Sequence, residues 1–196
     1  MATVSFNLAA TTSPQDSFLL QTSGFIQGLM MDDPVAYQQI RQGTIASTVT
    51  GSMYAGMAIT QDIPAINGEQ VAPGLVLATT VATLTGFTVG NRFYNGVVTP
   101  GSNVPFAAAG NSISFAALGS GARIAVQCDP TLANSLSGGA VNQQVAWDFT
   151  NQKLVAYTSG TALPVTIEAL NSNSKIVTSV GGVLEWTVGT CALIKI

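Results

Sequence analysis

Large apolar side chains recur at every second position in several stretches of this chain, most clearly over residues 145–157, VAWDF-TNQ-KLVAY. Val145, Trp147 and Phe149 share one face of an extended segment, and Ala146 and Asp148 share the other. After the polar Thr150-Asn151-Gln152, Val155 and Tyr157 alternate with Leu154 and Ala156. Period two on both sides of a brief polar turn predicts a β-hairpin. It stands at the centre of a C-terminal β region. ARIAVQC before it predicts a strand stopped by Asp129-Pro130, and TLANSLSGGAVNQ, uncharged and rich in Ser, Gly and Asn, predicts a loop. After the hairpin, PVTIEAL alternates with Val165, Ile167 and Ala169 inward. NSNS is expected to turn the chain, and KIVTSV, GVLEWTV and CALIKI to follow as three further strands.

The middle of the chain has the same rhythm. TIASTVT, GSMYAGMAIT and LVLATTVATL are strand-like, and Asn67-Gly68, Pro73-Gly74, Asn95-Gly96 and Pro100-Gly101 are turn signals between such runs. Short strands punctuated in this way predict an all-β protein: a compact β-sandwich or barrel-like domain, or domains, of short antiparallel strands. The beginning is different. Residues 1–32 read as an extended arm, alternating at TVSFNLAATT, broken at Pro14 and interrupted by Gly24 and Gly28. One short helix is expected near residues 34–42, with Asp33 as its cap, Pro34 at its first position and Gly43 as its stop. The division is therefore 1–32 for the arm, 33–126 for a β-rich region carrying the helix, and 127–196 for a C-terminal β-rich region. The last two read equally as one continuous domain.

Composition changes the picture in one respect. Charged residues make up 8% of the 196, against roughly 25% in an average soluble protein. A surface of Thr, Ser, Asn, Gln and Gly in place of charge suits a protein covered by partners or by copies of itself. Six basic residues and a net charge of −3 cannot neutralise a row of phosphates, which excludes a nucleic-acid binder. The mean hydropathy of +0.41 comes from dispersed Ala and Val, and no apolar run approaches the roughly 20 residues that cross a bilayer. The first 17 residues lack the basic and apolar regions of a signal peptide.

Catalytic chemistry finds little purchase. Histidine is absent, which removes the commonest general base and metal ligand. Asp32-Asp33 reads as capping, and Asp16, Asp62, Asp129 and Asp148 sit beside turn residues. Glu69, Glu168 and Glu185 are isolated, and no glycine-rich phosphate loop or calcium loop is present. No catalytic residue, cofactor or metal is assigned, and the chain is not expected to be an enzyme. Cys128 and Cys191 read as buried small hydrophobes, a disulfide between them having only the even count in its favour. Trp147 and Trp186 read as core aromatics before ligand platforms.

The GFIQG and DDPVAYQQIRQG segments, the GMAIT strand, the Gly/Asn/Pro-punctuated middle and the VAWDF…KLVAY hairpin followed by GGVLEWTVGTCALIKI resemble the head decoration, or cement, proteins of tailed bacteriophages. The resemblance implies a structural virion protein on the outer surface of the capsid, made in the host bacterial cytoplasm. It implies a homotrimer that clamps neighbouring copies of the major capsid protein, without contact to nucleic acid or membrane. Phe6, Phe18, Leu19, Leu20, Phe25 and Ile26 are then the expected apolar anchors on the capsid. Two other readings share the composition: a tail or fibre subunit, and a carbohydrate-binding, adhesin-like module.

Overall fold

The computed structural model describes residues 22–31, 40–63, 73–90 and 104–196. The fold is all-β. In chain order the strands are β1 (Ile40–Ile45), β2 (Met53–Tyr54), β3 (Ala58–Asp62), β4 (Gly74–Leu77), β5 (Gly86–Thr88), β6 (Phe106–Ala107), β7 (Ser112–Ala117) and β8 (Arg123–Gln127). The helix α1 (Pro130–Leu136) follows, then β9 (Val145–Asp148), β10 (Lys153–Ala156), β11 (Thr166–Val180) and β12 (Val183–Lys195).

Five strands close into a barrel in the order β1-β4-β3-β5-β7. Its interior holds Ile45, Ile59, Leu75, Ile113 and Phe115, with Met53 and Met57 among them. Closure requires one parallel pair, β1 with β4, with Thr44 opposite Gly74; the other neighbours run antiparallel. Gly43 lies in β1, and a Cβ there would sit 2.6 Å from Leu75 Cγ, so the barrel interior has room only for glycine. The expected helix near 34–42 is thus corrected at its C-terminal end. Residues 40–42 are strand, and Gly43 is a packing residue and not a helix stop. Residues 34–39 lie outside the described ones. Extended backbone wins here because Ile40, Gln42 and Thr44 find partners Ala116, Ser114 and Ser112 on β7.

The second body is a three-stranded sheet, β11-β12-β8, with the β9–β10 hairpin beside it. The hairpin expected from VAWDF-TNQ-KLVAY is present, with Trp147 opposite Leu154 and Val145 opposite Ala156. The three strands expected after NSNS are in fact two long ones. NSNS does not turn the chain. It forms an irregularity inside the 15-residue β11, where the pairing with β12 shifts between Asn171 and Ser174. Asparagine and serine carry the local hydrogen bonds of a turn here as well: Asn173 N donates to Asn171 Oδ1 at 2.7 Å, and Ser174 Oγ to Asn171 O at 3.1 Å. These bonds absorb one extra residue and the strand continues.

The loop expected over TLANSLS is helix α1. Asp129 caps it, accepting from Thr131 N at 2.9 Å, and Pro130 occupies the first turn. The Asp-Pro signal that predicts a helix after Asp33 operates equally well here.

Both bodies share one core. Ala58, Phe87 and Ala116 on the outer face of the barrel pack with Ile124, Val126, Trp147, Leu154 and Ile194 in a single cluster. Trp147 meets Phe87 edge-on, ring centres 5.1 Å apart at 72°. A boundary at 126/127 would cut through β8. A ladder of side chains crosses the sheet at Met30, Ile124, Ile194 and Ile167, all buried. A further cluster, Val104, Val177 and Leu184, joins the β11–β12 hairpin to Tyr54 and Phe106 of the two-stranded sheet β2–β6.

Candidate functional site

Of the expected anchors, Phe6, Phe18, Leu19 and Leu20 lie outside the described residues. Phe25 and Ile26 lie within them, in a segment whose backbone is part of the chain's own sheet. Gly28 N donates to Ala125 O at 2.6 Å and Met31 N to Arg123 O at 2.9 Å on β8, and Gln27 N donates to Lys175 O at 2.9 Å on β11. Gln27 is almost fully buried. Its Nε2 donates to Ala55 O at 3.3 Å, and its Oε1 accepts from Val177 N at 2.9 Å, linking barrel, segment and long hairpin. Gly28, at φ +76, lies against Ala55, where a side chain would collide with the methyl group. Residues 24–31 are therefore built into the body of the protein, which shortens the expected arm of 1–32 from its C-terminal end.

The same segment leaves apolar groups outside. Phe25 is half-buried, but Ile26, Leu29 and Met31 are 37%, 36% and 41% exposed. Met30 between the last two points into the core, so pleating explains the arrangement: one face of the segment is used and the other is not. Leu29 and Met31 are not among the expected anchors, although the alternation of Leu29, Met30 and Met31 after Gly28 is visible in the sequence. Ile26 also pairs across to Lys175, and Lys175 to Val188, which puts the half-exposed Val188 beside it on one face of the sheet.

The ionisable groups are arranged for structure. Lys153 Nζ donates to Asp129 Oδ2 at 2.9 Å, and this bond, with the helix-capping bond from Thr131, holds the Asp129 carboxyl below the usual carboxylate range. Asp148 is lowered by Asn151, whose side chain and backbone N–H both donate to it within the hairpin turn. Arg123 lies 3.7 Å from Glu168. Among the described residues no three His, Cys, Asp or Glu side chains gather into a metal-binding group. Cys128 and Cys191 are buried free thiols, each pushed up to about 12 by desolvation. Cys191 stands opposite Gln127, so the pleat directs Cys128 to the other face of the sheet.

Trp147 is buried, its Nε1 donating to Gln152 Oε1 at 3.3 Å. Trp186 is partly buried against the Val104–Val177–Leu184 cluster. Both therefore serve packing. A cavity of about 290 Å³ opens between the loop after α1 and residues 167–170 of β11. No helix among the described residues is long and apolar enough to cross a membrane.

No family model, no curated protein and no solved structure matches the chain.

Proposed function

We propose that this protein is a structural component of a virion that decorates the outside of a bacteriophage capsid and stabilises the shell by clamping neighbouring subunits as a trimer. The observation that carries the reading is a folded β body in a chain with almost no charge, 8% of residues, that keeps Ile26, Leu29 and Met31 exposed. An exposed apolar strip suits a protein that completes its packing on a neighbour. Phe6 and the apolar residues of positions 1–21, together with that strip, form the contact to the major capsid protein.

The mechanism is mass action. A protein that binds the assembled lattice and not its free subunits stabilises the lattice by its binding free energy at every site. Three arms on one trimer bind with an effective concentration that one arm lacks.

Electron microscopy of virions carrying a gold-labelled C-terminus tests the proposal. Label at the three-fold positions of the head, with a solution mass three times 20.1 kDa, is the expected result. Rings of label stacked along the tail would overturn it. Removal of residues 1–21 is expected to abolish capsid binding while leaving the melting temperature close to that of the full chain. Removal of 1–30 is the wrong test, since it takes Gln27 and Met30 out of the core.

A further inference from the structure

The pairing of β11 with β12 is irregular at two places, and the first of them falls at Glu168. Ile167 stands opposite Ile194 and Ala169 opposite Leu193, so Glu168 is an extra residue between two paired ones. An extra residue of this kind re-aims its side chain out of the regular alternation of the strand. Here it puts a carboxylate in the wall of the cavity of about 290 Å³ between β11 and the loop after α1.

The other walls are of two kinds. Leu136, Ile167 and Leu170 are apolar and belong to the main core cluster or pack against it, so the cavity opens at the margin of that core. On the loop side, residues 137–140 are small and offer mostly backbone. The strand edge adds a further polar pair. Cys128 N donates to Thr190 O at 2.9 Å, so residues 190, 192 and 194 of β12 turn their backbone toward β8. Ile167 and Leu170, opposite Ile194 and Ala192, therefore turn theirs away from β12. Ile167 N shows the same sense by donating outward to Val141 O at 3.3 Å. Leu170 thus presents its N–H and C=O along the edge where the cavity lies.

Charge decides what this arrangement suits. Among the described residues no lysine or arginine lines the cavity. Arg123 Nη1 approaches from outside, 3.7 Å from Glu168 Oε2, which is too far for a hydrogen bond. The carboxylate keeps its accepting capacity for a donor inside the cavity. A dry cavity of about 150 Å³ takes a benzene ring, so this one has room for a ring and a short chain.

We infer that the cavity is a binding site for a small organic ammonium ion. The apolar body of the ligand lies against Leu136, Ile167 and Leu170, and its N–H groups donate to the Glu168 carboxylate and the Leu170 carbonyl. An anion of similar size meets the same carboxylate as a like charge and is turned away. The site uses none of the exposed strip of Ile26, Leu29 and Met31, so it stands apart from the capsid reading.

Amide chemical shifts of the full chain, followed during titration with 2-phenylethylammonium chloride, test it. Saturable shifts are expected at Gly138, Gly139, Ala169 and Leu170, with a dissociation constant of about 1 mM or lower. Phenylacetate, of similar size and opposite charge, is expected to bind roughly tenfold more weakly, and so is the ammonium ion to Glu168→Gln. That variant is expected to melt within about 2 °C of the native chain, since the ion pair it loses is partly exposed. No saturation by about 20 mM, equal binding of the two ions, or unchanged binding to Glu168→Gln would each overturn the inference. Saturable shifts confined to Ile26, Leu29 and Met31 would overturn it too, and would put the probe on the exposed strip.

Discussion

Gln152 shows how much of this fold hangs on one side chain. It is the only non-glycine residue with positive φ among the described ones, at +53, and it is buried at the end of the hairpin turn. Its Oε1 accepts from Ala58 N of β3 at 2.8 Å and from Trp147 Nε1 at 3.3 Å, and its Nε2 donates to Phe149 O at 2.9 Å. One amide therefore closes the turn, satisfies the indole and joins the hairpin to the barrel. Gln152→Ala leaves two buried donors unpaired, at about 1–3 kcal/mol each. A loss of roughly 2–6 kcal/mol by urea unfolding is expected. Gln152→Gly loses the same bonds but relieves the left-handed backbone, and is expected to be the milder variant by about 1 kcal/mol. Trp147→Ala, which empties the site against Phe87, is expected to cost about 3–5 kcal/mol. That corresponds to a fall of roughly 10 °C in melting temperature for a chain of this size.

The titrating groups act at the same scale. The folded carboxyls of Asp129 and Asp148 are held low by donors, so each stabilises the fold at neutral pH and stops doing so as the pH falls through its folded value. Both are partly exposed, and screening keeps the effect small. The two thiols work from the opposite end. The unfolded chain loses their protons at about pH 9 while the folded chain keeps them to about 12, so stability falls as the pH rises across that window. Urea midpoints are expected to decline from about pH 9 upward in the native chain, and to decline later and less in Cys128→Ala/Cys191→Ala, where the partly buried Tyr54 phenol, also raised by desolvation, is left to act above about pH 10. Neither thiol should react with Ellman's reagent at about pH 8 until the protein is unfolded.

At the scale of the element, what the sequence disclosed follows from where its signals are local. The β9–β10 hairpin is legible because Trp147 and Leu154 face each other across a short turn, and period two needs nothing else. β8 is legible because IAV is a short apolar run ending at Asp-Pro. Helix α1 is not, because only Leu132 and Ala133 are buried and its Thr, Asn and Ser side chains resemble a loop; the cap is the sole positive signal. β11 reads as split at NSNS since turn residues and irregularity residues have the same chemistry. The packing of β12 against it distinguishes the two cases. The parallel pairing of β1 with β4 leaves no local trace at all, since the partners are set by barrel closure. The contact strip is half visible: Ile26 is among the expected anchors, but Leu29 and Met31 are not, and their exposure follows only once β8 claims Met30 between them.

At the scale of the whole molecule, the question is whether 33–126 and 127–196 unfold together. The barrel contributes Ala58, Leu84, Phe87, Val89 and Ala116 to the same cluster as Val126, Trp147, Ile167 and Ile194. Separating the two regions would expose both halves of that cluster. It would also break the Gln152–Ala58 bond and the two bonds by which Gln27 joins Ala55 to Val177. Independent domains need a linker that few contacts cross; here β8 itself carries the boundary, with Ile124 and Val126 inside the shared core. The shared cluster draws on both halves, so a single cooperative transition is expected. Far-ultraviolet circular dichroism follows all the strands, while tryptophan fluorescence follows only Trp147 and Trp186, both in the C-terminal region. Coincident urea curves from the two probes would establish one unit. A dichroism curve with a second step that fluorescence does not see would show that the barrel survives alone, and the shared core would then be a dockable interface and not the centre of the fold.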